Sequence, residues 1–313
     1  PELAAPSPGA LRVVSLNLLN YFNGDGLGGD FPTPRGAETP AEFESQRAQF
    51  QAALAMLQPH VLAVQELEND GFEAGSAASD FIEDLEQATG HSWAVARPDA
   101  PQIGTDQITV GVFYRTDKVR AIGPALLLDA APFDMLNRVP LAQVLEQTSN
   151  GVRFVVNVNH FKSKGGCPDQ GRDQDQNDGQ GCWSPTRLAA AKELAPWLNA
   201  LADSEAQGKA LLLGDLNAYR MEDPVQHLIA EGFWDLNASI GERHQYTYVF
   251  RGQSGSLDHA LATVALTQEV ENARILNINS GFPAGMELSP AWVRNSDHDP
   301  IIIDLQLVQR LVD

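Results

Sequence analysis

Apolar residues fall along this chain in short runs that end abruptly in a polar side chain. The first, LRVVSLNLL at 11–19, is β-branched and leucine-rich and predicts a buried strand. VLAVQEL (61–67), QITVGVFYR (107–115), RFVVNVNHF (153–161), KALLLGDLNA (209–218) and IIIDLQL (301–307) repeat the pattern. HSWAVAR (91–97) reads as a strand turning into the one at 107–115. Helical spacing lies between them. AEFESQRAQFQAALAML (41–57) sets Phe43, Phe50, Leu54 and Leu57 on one face and stops at Pro59. ASDFIEDLEQATG (78–90) ends on a glycine, a common helix stop. SPTRLAAAKELAPWLNALAD (184–203) offers Ser184 as N-cap and Pro185 as first helical residue. The polar Gly/Pro stretch 23–40 is too long for a plain connection.

Strands and helices interleave without a strict βαβ rhythm, and several strands are separated by hairpin-length links. That pattern predicts an α/β fold, a four-layer sandwich of two mixed β-sheets face to face with outer helices. A doubly wound nucleotide-binding fold is the alternative; no GxGxxG or GxxxxGK[ST] follows the first strand to support it. Residues 1–10, PELAAPSPGA, read as a linker or a cut edge, and 11–313 as the folded domain.

The formal net charge is −20. A grip on a polyanion that works by counterion release wants Lys and Arg, so charge alone argues against nucleic acid and anionic membranes. A bound cation reverses that logic locally. No apolar run approaches the ~20 residues that span a bilayer. The opening residues have neither the charged start nor the apolar centre of a signal peptide, and a secreted domain separated from its signal is the expectation. Cys167 and Cys182 flank one polar, Gly-rich loop. They are either free thiols or a clasp; the clasp is favoured, would stabilise by roughly 3 kcal/mol, and would imply an oxidising compartment.

The polar residues at the strand ends carry the candidate chemistry. Asn17 interrupts one apolar run and Glu66 ends another; His160, Asp215 and Asn217 close two more, and Asp258, Asp297 and His298 precede strands. Any one alone is ordinarily a cap facing water. Asn17 and Glu66 resist that reading, because a carboxylate against an apolar run is costly unless paired or bound to a metal. Asp215 and Asn217 are two apart, so on a strand they share a face and together can hold one water. Imidazoles at 160 and 298 can move protons near neutral pH. Oxygen ligands suit Mg²⁺ or Mn²⁺. With no HExxH, CxxC or well-placed nucleophile, the chemistry that fits is metal-assisted attack of water on a phosphoester. Separately, DQDQND (173–178) alternates acids and amides as calcium loops do, so a structural Ca²⁺ on Asp173, Asp175 and Asn177 stands beside a plain solvated loop. It is not an EF-hand, which would want Gly at 178 and Glu at 184.

SLNLLNYF (15–22), VQELEND (64–70), NHFKSKGG (159–166), GDLNA (214–218), LDH (257–259) and SDHDP (296–300) together resemble the endonuclease/exonuclease/phosphatase superfamily, in its order and over nearly the whole chain. The details are most similar to bacterial secreted nucleases. The resemblance implies Glu66 as principal metal ligand, with Asn17 and Asp297 in the same shell. It implies that Asp215 and Asn217 activate water, that His298 lies beside the scissile phosphate oriented by Asp258, and that His160 assists the leaving oxygen or binds phosphate. Asp106 is a candidate partner for His160, beside its reading as a residue of a solvated turn. Arg115 and Arg138 are candidates for phosphate contact and equally for structural ion pairs. The expectation is a monomeric, Mg²⁺-dependent nuclease acting on DNA, with RNA as a second polymer and no membrane partner. A sphingomyelinase-like phospholipase or a phosphoinositide phosphatase on the same scaffold is the alternative, and a non-catalytic binding module the next.

Overall fold

The computed structural model describes residues 3–24, 30–133, 136–239, 246–283 and 289–309. In chain order the first half carries β1 (Leu11–Tyr21), α1 (Pro40–Leu57), β2 (Val61–Glu68), α2 (Ala77–Thr89), β3 (Trp93–Val95), β4 (Ile108–Arg115), β5 (Val119–Ala121), β6 (Leu126–Leu127) and β7 (Leu141–Gln147). The second half carries β8 (Arg153–His160), α3 (Ser184–Ala206), β9 (Ala210–Asp215), α4 (Asp223–Ala230), β10 (Phe233–Asp235) and α5 (Leu236–Ser239). It closes with β11 (Tyr248–Phe250), β12 (Gln253–Gly255), β13 (Asp258–Thr263), α6 (Val264–Thr267), β14 (Val270–Ile275) and β15 (Ile301–Leu305).

One sheet runs β14-β15-β1-β2-β4-β3 and the other β10-β13-β9-β8-β7-β5, with β6 beside β7. The sheets pack face to face through β1, β2 and β4 against β8 and β9. α1 and α2 cover the first sheet and α3 covers the second, so the expected four layers are present. Strands covered on both faces read as continuous apolar runs rather than alternating ones; every residue of β9 is buried.

Each sheet contains one parallel pair joined through a helix: β1–α1–β2 and β8–α3–β9. β13 and β15 run antiparallel to them, opposite β9 and β1. The C-terminal ends of the four parallel strands and the N-terminal ends of the two antiparallel ones therefore meet at one edge of the sandwich. This is why apolar runs end in polar residues at 66, 160 and 215, and why 258 and 297–298 precede theirs.

Local signals account for the helices. Thr39 caps α1 by accepting from the Glu42 N–H, with Pro40 next to it. Phe43, Phe50, Leu54 and Leu57 are all buried, as their spacing predicts. Phe43 and Phe50 meet Tyr21 edge-on, at ring separations of 5.1 and 6.2 Å. The Ser184 cap is corrected: Trp183 holds the N-cap position of α3, and Asp173 Oδ1, from the cysteine loop, accepts from the Thr186 N–H (3.1 Å) and hydroxyl (2.9 Å). β7 has no apolar run to announce it, because Gln143 and Gln147 are among its buried residues. The 91–97 segment contributes only the three residues of β3.

Candidate active site

The site begins with a defect in the first sheet. β1 and β2 keep register from Val13↔Val61 to Asn17↔Gln65, then slip before Tyr21↔Leu67. Leu19, Asn20 and Glu66 take left-handed backbone angles there, with φ of 51°, 55° and 62°. Such conformations are strained for residues with a side chain and persist where the surroundings over-determine them. Asn17 supplies that determination: its Oδ1 accepts from the Leu19 N–H (2.9 Å) and its Nδ2 donates to Glu66 Oε1 (3.1 Å). Asn20 N–H donates to Glu66 Oε2 (3.1 Å). The bulge turns Glu66 out of the strand alternation and into the cleft. Asn17 is 1% exposed and, through its bond to Oε1, aims Glu66.

The second sheet supplies the other wall. His160 pairs in register with Asp215, and Asp215 lies opposite Asp258. Gly214 makes this approach possible: its φ is 123°, and a Cβ there would sit 2.1 Å from the Asn159 carbonyl oxygen. The strand ends at Asp215, so the shared strand face expected for Asp215 and Asn217 is corrected. Asn217 instead has a φ of 49° and folds back, its N–H donating to Asp215 Oδ1 (2.8 Å) and its Nδ2 to Oδ2 (3.2 Å). The same Nδ2 donates to the Phe161 carbonyl (3.1 Å), so this amide nitrogen positions the carboxylate.

His298 Nδ1 lies 2.6 Å from Asp258 Oδ2, and its Nε2 is 4.0 Å from Asp215 Oδ2. His160 Nε2 is 3.6 Å from that same oxygen. Neither Nε2 reaches hydrogen-bonding distance, so both remain open to a ligand oxygen. Burial, then the neighbouring Asp258, pushes Asp215 up to about 7. Burial opposes charge on His298, but Asp258 in contact, with Asp215 and Asp297 nearby, holds its pKa well above the usual imidazole range. Burial, then the Arg138 and His298 cations, drives His160 well below that range. The two imidazoles are thus pushed apart, one charged and one neutral. Asp215, Asp258 and His298 also form a group compact enough to hold an ion, but the short Asp258–His298 contact closes it as an acid–imidazole pair.

A cleft of about 610 Å³ runs past Glu66, His160, Asp215, Asn217, Asp297 and His298. Glu66 and Asp297 offer hard carboxylate oxygens to it, and each Glu66 oxygen accepts one protein hydrogen bond and keeps a further lone pair. That donor set fits a divalent cation such as Mg²⁺ or Mn²⁺. Part of the cleft wall is the cysteine loop. Cys167 and Cys182 are bonded to each other, and fully buried Arg187 donates to the carbonyls of Cys182 (2.9 Å), Gln180 (3.1 Å) and Lys162 (3.2 Å). Within the loop Asp173 is occupied by α3, Asp175 accepts from the Asn177 N–H (2.9 Å) and lines the cleft, and Asn177 is exposed.

Both arginines make the ion pairs that stood beside phosphate contact, and Asp106 as partner of His160 is corrected. Arg115 lies at the opposite end of the sheet from Glu66, since β4 pairs Tyr114 with Val61 and Ile108 with Glu68; it is bound to Asp117 at 2.7 Å. Arg138 is near the site, its N–H donating to the His160 carbonyl (3.2 Å), but its guanidinium pairs with Asp106 at 3.1 Å. Asp106 therefore partners Arg138 and Arg35 rather than His160, whose Nδ1 is buried without a partner among the described residues.

Residues without an assigned role in the sequence reading complete the site. Tyr248 stacks on the His298 ring at 4.6 Å. Thr247 Oγ1 accepts from the N–H groups of Leu257 and Asp258, both at 3.1 Å, and its carbonyl from the Asp299 N–H (2.8 Å). Asp299 in turn accepts from the N–H groups of Ile278 (2.8 Å) and Asn279 (2.6 Å) and from the Ser280 hydroxyl (2.6 Å). A threonine in an aromatic run gives no sequence signal of such a task.

The fold is shared with solved structures of low sequence identity. The catalytic domain of human Nocturnin with bound sulfate is 17% identical with a TM-score of 0.61, over 96% of this chain and 95% of that one. TDP2 of D. rerio with a single strand DNA product is 16% identical at 0.58, over 94% and 98%. A mannosyl-6-phosphatase of Bacteroides thetaiotaomicron is 16% identical at 0.60, over 94% and 99%. No curated protein sequence matches the chain. Residues 14–298, which carry every strand-end residue of the cleft, match the family described as Endonuclease/Exonuclease/phosphatase, and the chain belongs to that family of phosphoester hydrolases, which generally use a divalent metal.

Proposed function

We propose that this protein is a secreted, divalent-metal-dependent nuclease that hydrolyses phosphodiester bonds of DNA, and RNA as a second polymer, without marked sequence preference. The observation that carries the reading is the convergence of two imidazoles on Asp215 Oδ2, His298 at 4.0 Å and His160 at 3.6 Å, both open to the cleft. A divalent cation held by Glu66 and Asp297 would offset charge on the phosphate and on the departing 3′-oxygen.

The chain's own residues do the rest. Asp215, held by Asn217, accepts the proton of the attacking water, and a pKa of about 7 suits it to that task near neutral pH. His298 donates from Nε2 to phosphate oxygens whose charge grows in the transition state. Asp258 keeps the proton on that ring and fixes its orientation. Neutral His160 gives the phosphate a second nitrogen contact. Asn17 and Asn20 hold Glu66 in place.

The DNA product bound to TDP2 of D. rerio supports a nucleic-acid substrate, and the Cys167–Cys182 bond supports an oxidising, extracellular setting. The test is turnover of plasmid DNA, RNA, sphingomyelin vesicles and a sugar phosphate monoester, with Mg²⁺ and with EDTA. Cleavage of nucleic acid that EDTA abolishes is expected. Turnover confined to the lipid or the monoester would overturn the reading.

A further inference from the structure

The catalytic scheme leaves the β11–β12 hairpin unused. β11 carries Tyr248 and Phe250, two residues apart and so on one face of the strand. Tyr248 is fixed on the His298 ring at 4.6 Å. Phe250 lies about 7 Å further out along the strand, lines the same cleft, and is 52% exposed. A single exposed aromatic is ordinary on a surface. This one is set apart by Arg251, whose left-handed backbone (φ 51°) places its guanidinium 5.2 Å from the Phe250 ring centre.

The wall continues inward. Gly255 pairs with Tyr248, and a Cβ there would lie 2.5 Å from the Tyr219 ring, so glycine lets Tyr219 pack against the hairpin. Lys164 Nζ sits 5.3 Å from the Tyr219 ring centre. The cleft lining thus combines these aromatic rings with the carboxylates of Glu66, Asp215 and Asp297, while Lys164 is itself paired with Glu222 at 2.6 Å. A phosphodiester chain drawn to these carboxylates by a bound cation has its bases left to be accommodated. The 7 Å step from Tyr248 to Phe250 is about two stacked nucleotides at 3.4 Å each.

We infer that Phe250, backed by Arg251, is a stacking subsite for an unpaired nucleobase, one to two nucleotides from the scissile phosphate. The ring offers a sequence-tolerant π-face and the guanidinium adds a cation. In a duplex both faces of each base are covered by neighbours, so the subsite favours single strands, frayed ends and loops. The inference rests on the nuclease reading and adds a preference to it.

The test compares a single-stranded thymidine homopolymer with an abasic deoxyribose-phosphate polymer of equal length. The wild-type protein is expected to show a KM about tenfold lower on the base-bearing polymer. Phe250→Ala should collapse that ratio to about one, with the change falling on KM for the base-bearing polymer, and Phe250→Trp should restore it. A ratio unchanged by Phe250→Ala overturns the subsite while leaving the nuclease reading standing. If Phe250→Ala instead releases the protein from sphingomyelin vesicles, the hairpin is a lipid contact and the subsite is equally overturned. If wild-type protein cleaves neither polymer, the nuclease reading fails and the subsite with it.

Discussion

Asp215 and Asp258 face each other across the β9–β13 ladder, and one imidazole, His298, lies 4.0 Å from the first carboxylate and 2.6 Å from the second. The two acids therefore cannot act alike. Asp258 is bonded to the ring and supports its proton; Asp215 has no such bond and is pushed up to about 7 by burial and by its neighbour. Asp258→Asn removes the charge that keeps His298 protonated. Its kcat at neutral pH should fall by about 10²-fold, and the alkaline limb of its rate profile should move to lower pH, where the ring regains its proton. An unchanged profile would refute the assignment.

Glu66 depends on Asn17 for its aim. Glu66→Gln should raise the Mg²⁺ concentration for half-maximal activity well beyond the wild-type value. Asn17→Ala should raise it roughly 10-fold or more, as loss of a residue orienting a metal ligand does. Isothermal titration with Mg²⁺ in the absence of substrate separates this from a defect in turnover.

The sequence pattern made the sandwich legible because strands buried on both sides carry long apolar stretches with few polar breaks, as β1, β2, β8, β9 and β15 do. It made the site legible because four of those runs end or begin in chemistry-bearing residues, Glu66, His160, Asp215 and His298, which converge once parallel and antiparallel strands meet at one edge. What it concealed depends on backbone conformation and distant contacts. Nothing in VQELE tells that Glu66 sits in a bulge, or that Asn217 folds back onto Asp215 instead of continuing the strand. β7 was hidden by its buried glutamines, and the cap of α3 by an aspartate 13 residues before the threonine it binds. Arg115 and Arg138 are placed by ion pairs that composition cannot order.

Gly214 carries a steric requirement that Gly151 does not. Both have positive φ, 123° and 71°, but a Cβ on Gly214 would collide with the Asn159 carbonyl oxygen, whereas nothing lies within 4 Å at Gly151. Gly214→Ala should lose at least about 2 kcal/mol in urea unfolding, and Gly151→Ala about 1 kcal/mol. Equal losses would show that the β8–β9 approach is not the constraint.

His60 should make stability fall on the acid side. Its Nδ1 accepts the Arg12 N–H (3.0 Å), which needs a neutral ring, and burial followed by Arg115, Lys118 and Arg12 lowers its pKa to about 4. The unfolded chain, with a histidine near 6.5, takes up the proton first as pH falls. Its contribution is therefore complete above about pH 6.5 and is lost progressively down to about pH 4, a change of about 3 kcal/mol. Between pH 7 and pH 4.5 the wild-type protein should lose about 2 kcal/mol more than His60→Gln. Parallel losses in the two proteins would contradict this.

The central claim is that phosphodiester hydrolysis runs through the acid–imidazole group at the sandwich edge. The direct measurement is the rate of plasmid DNA cleavage in Mg²⁺ by folded His298→Ala beside wild type, with circular dichroism of both. Wild-type cleavage that EDTA abolishes, together with a loss of about 10²-fold or more in the variant, is the predicted result. Full cleavage by folded His298→Ala would contradict the account.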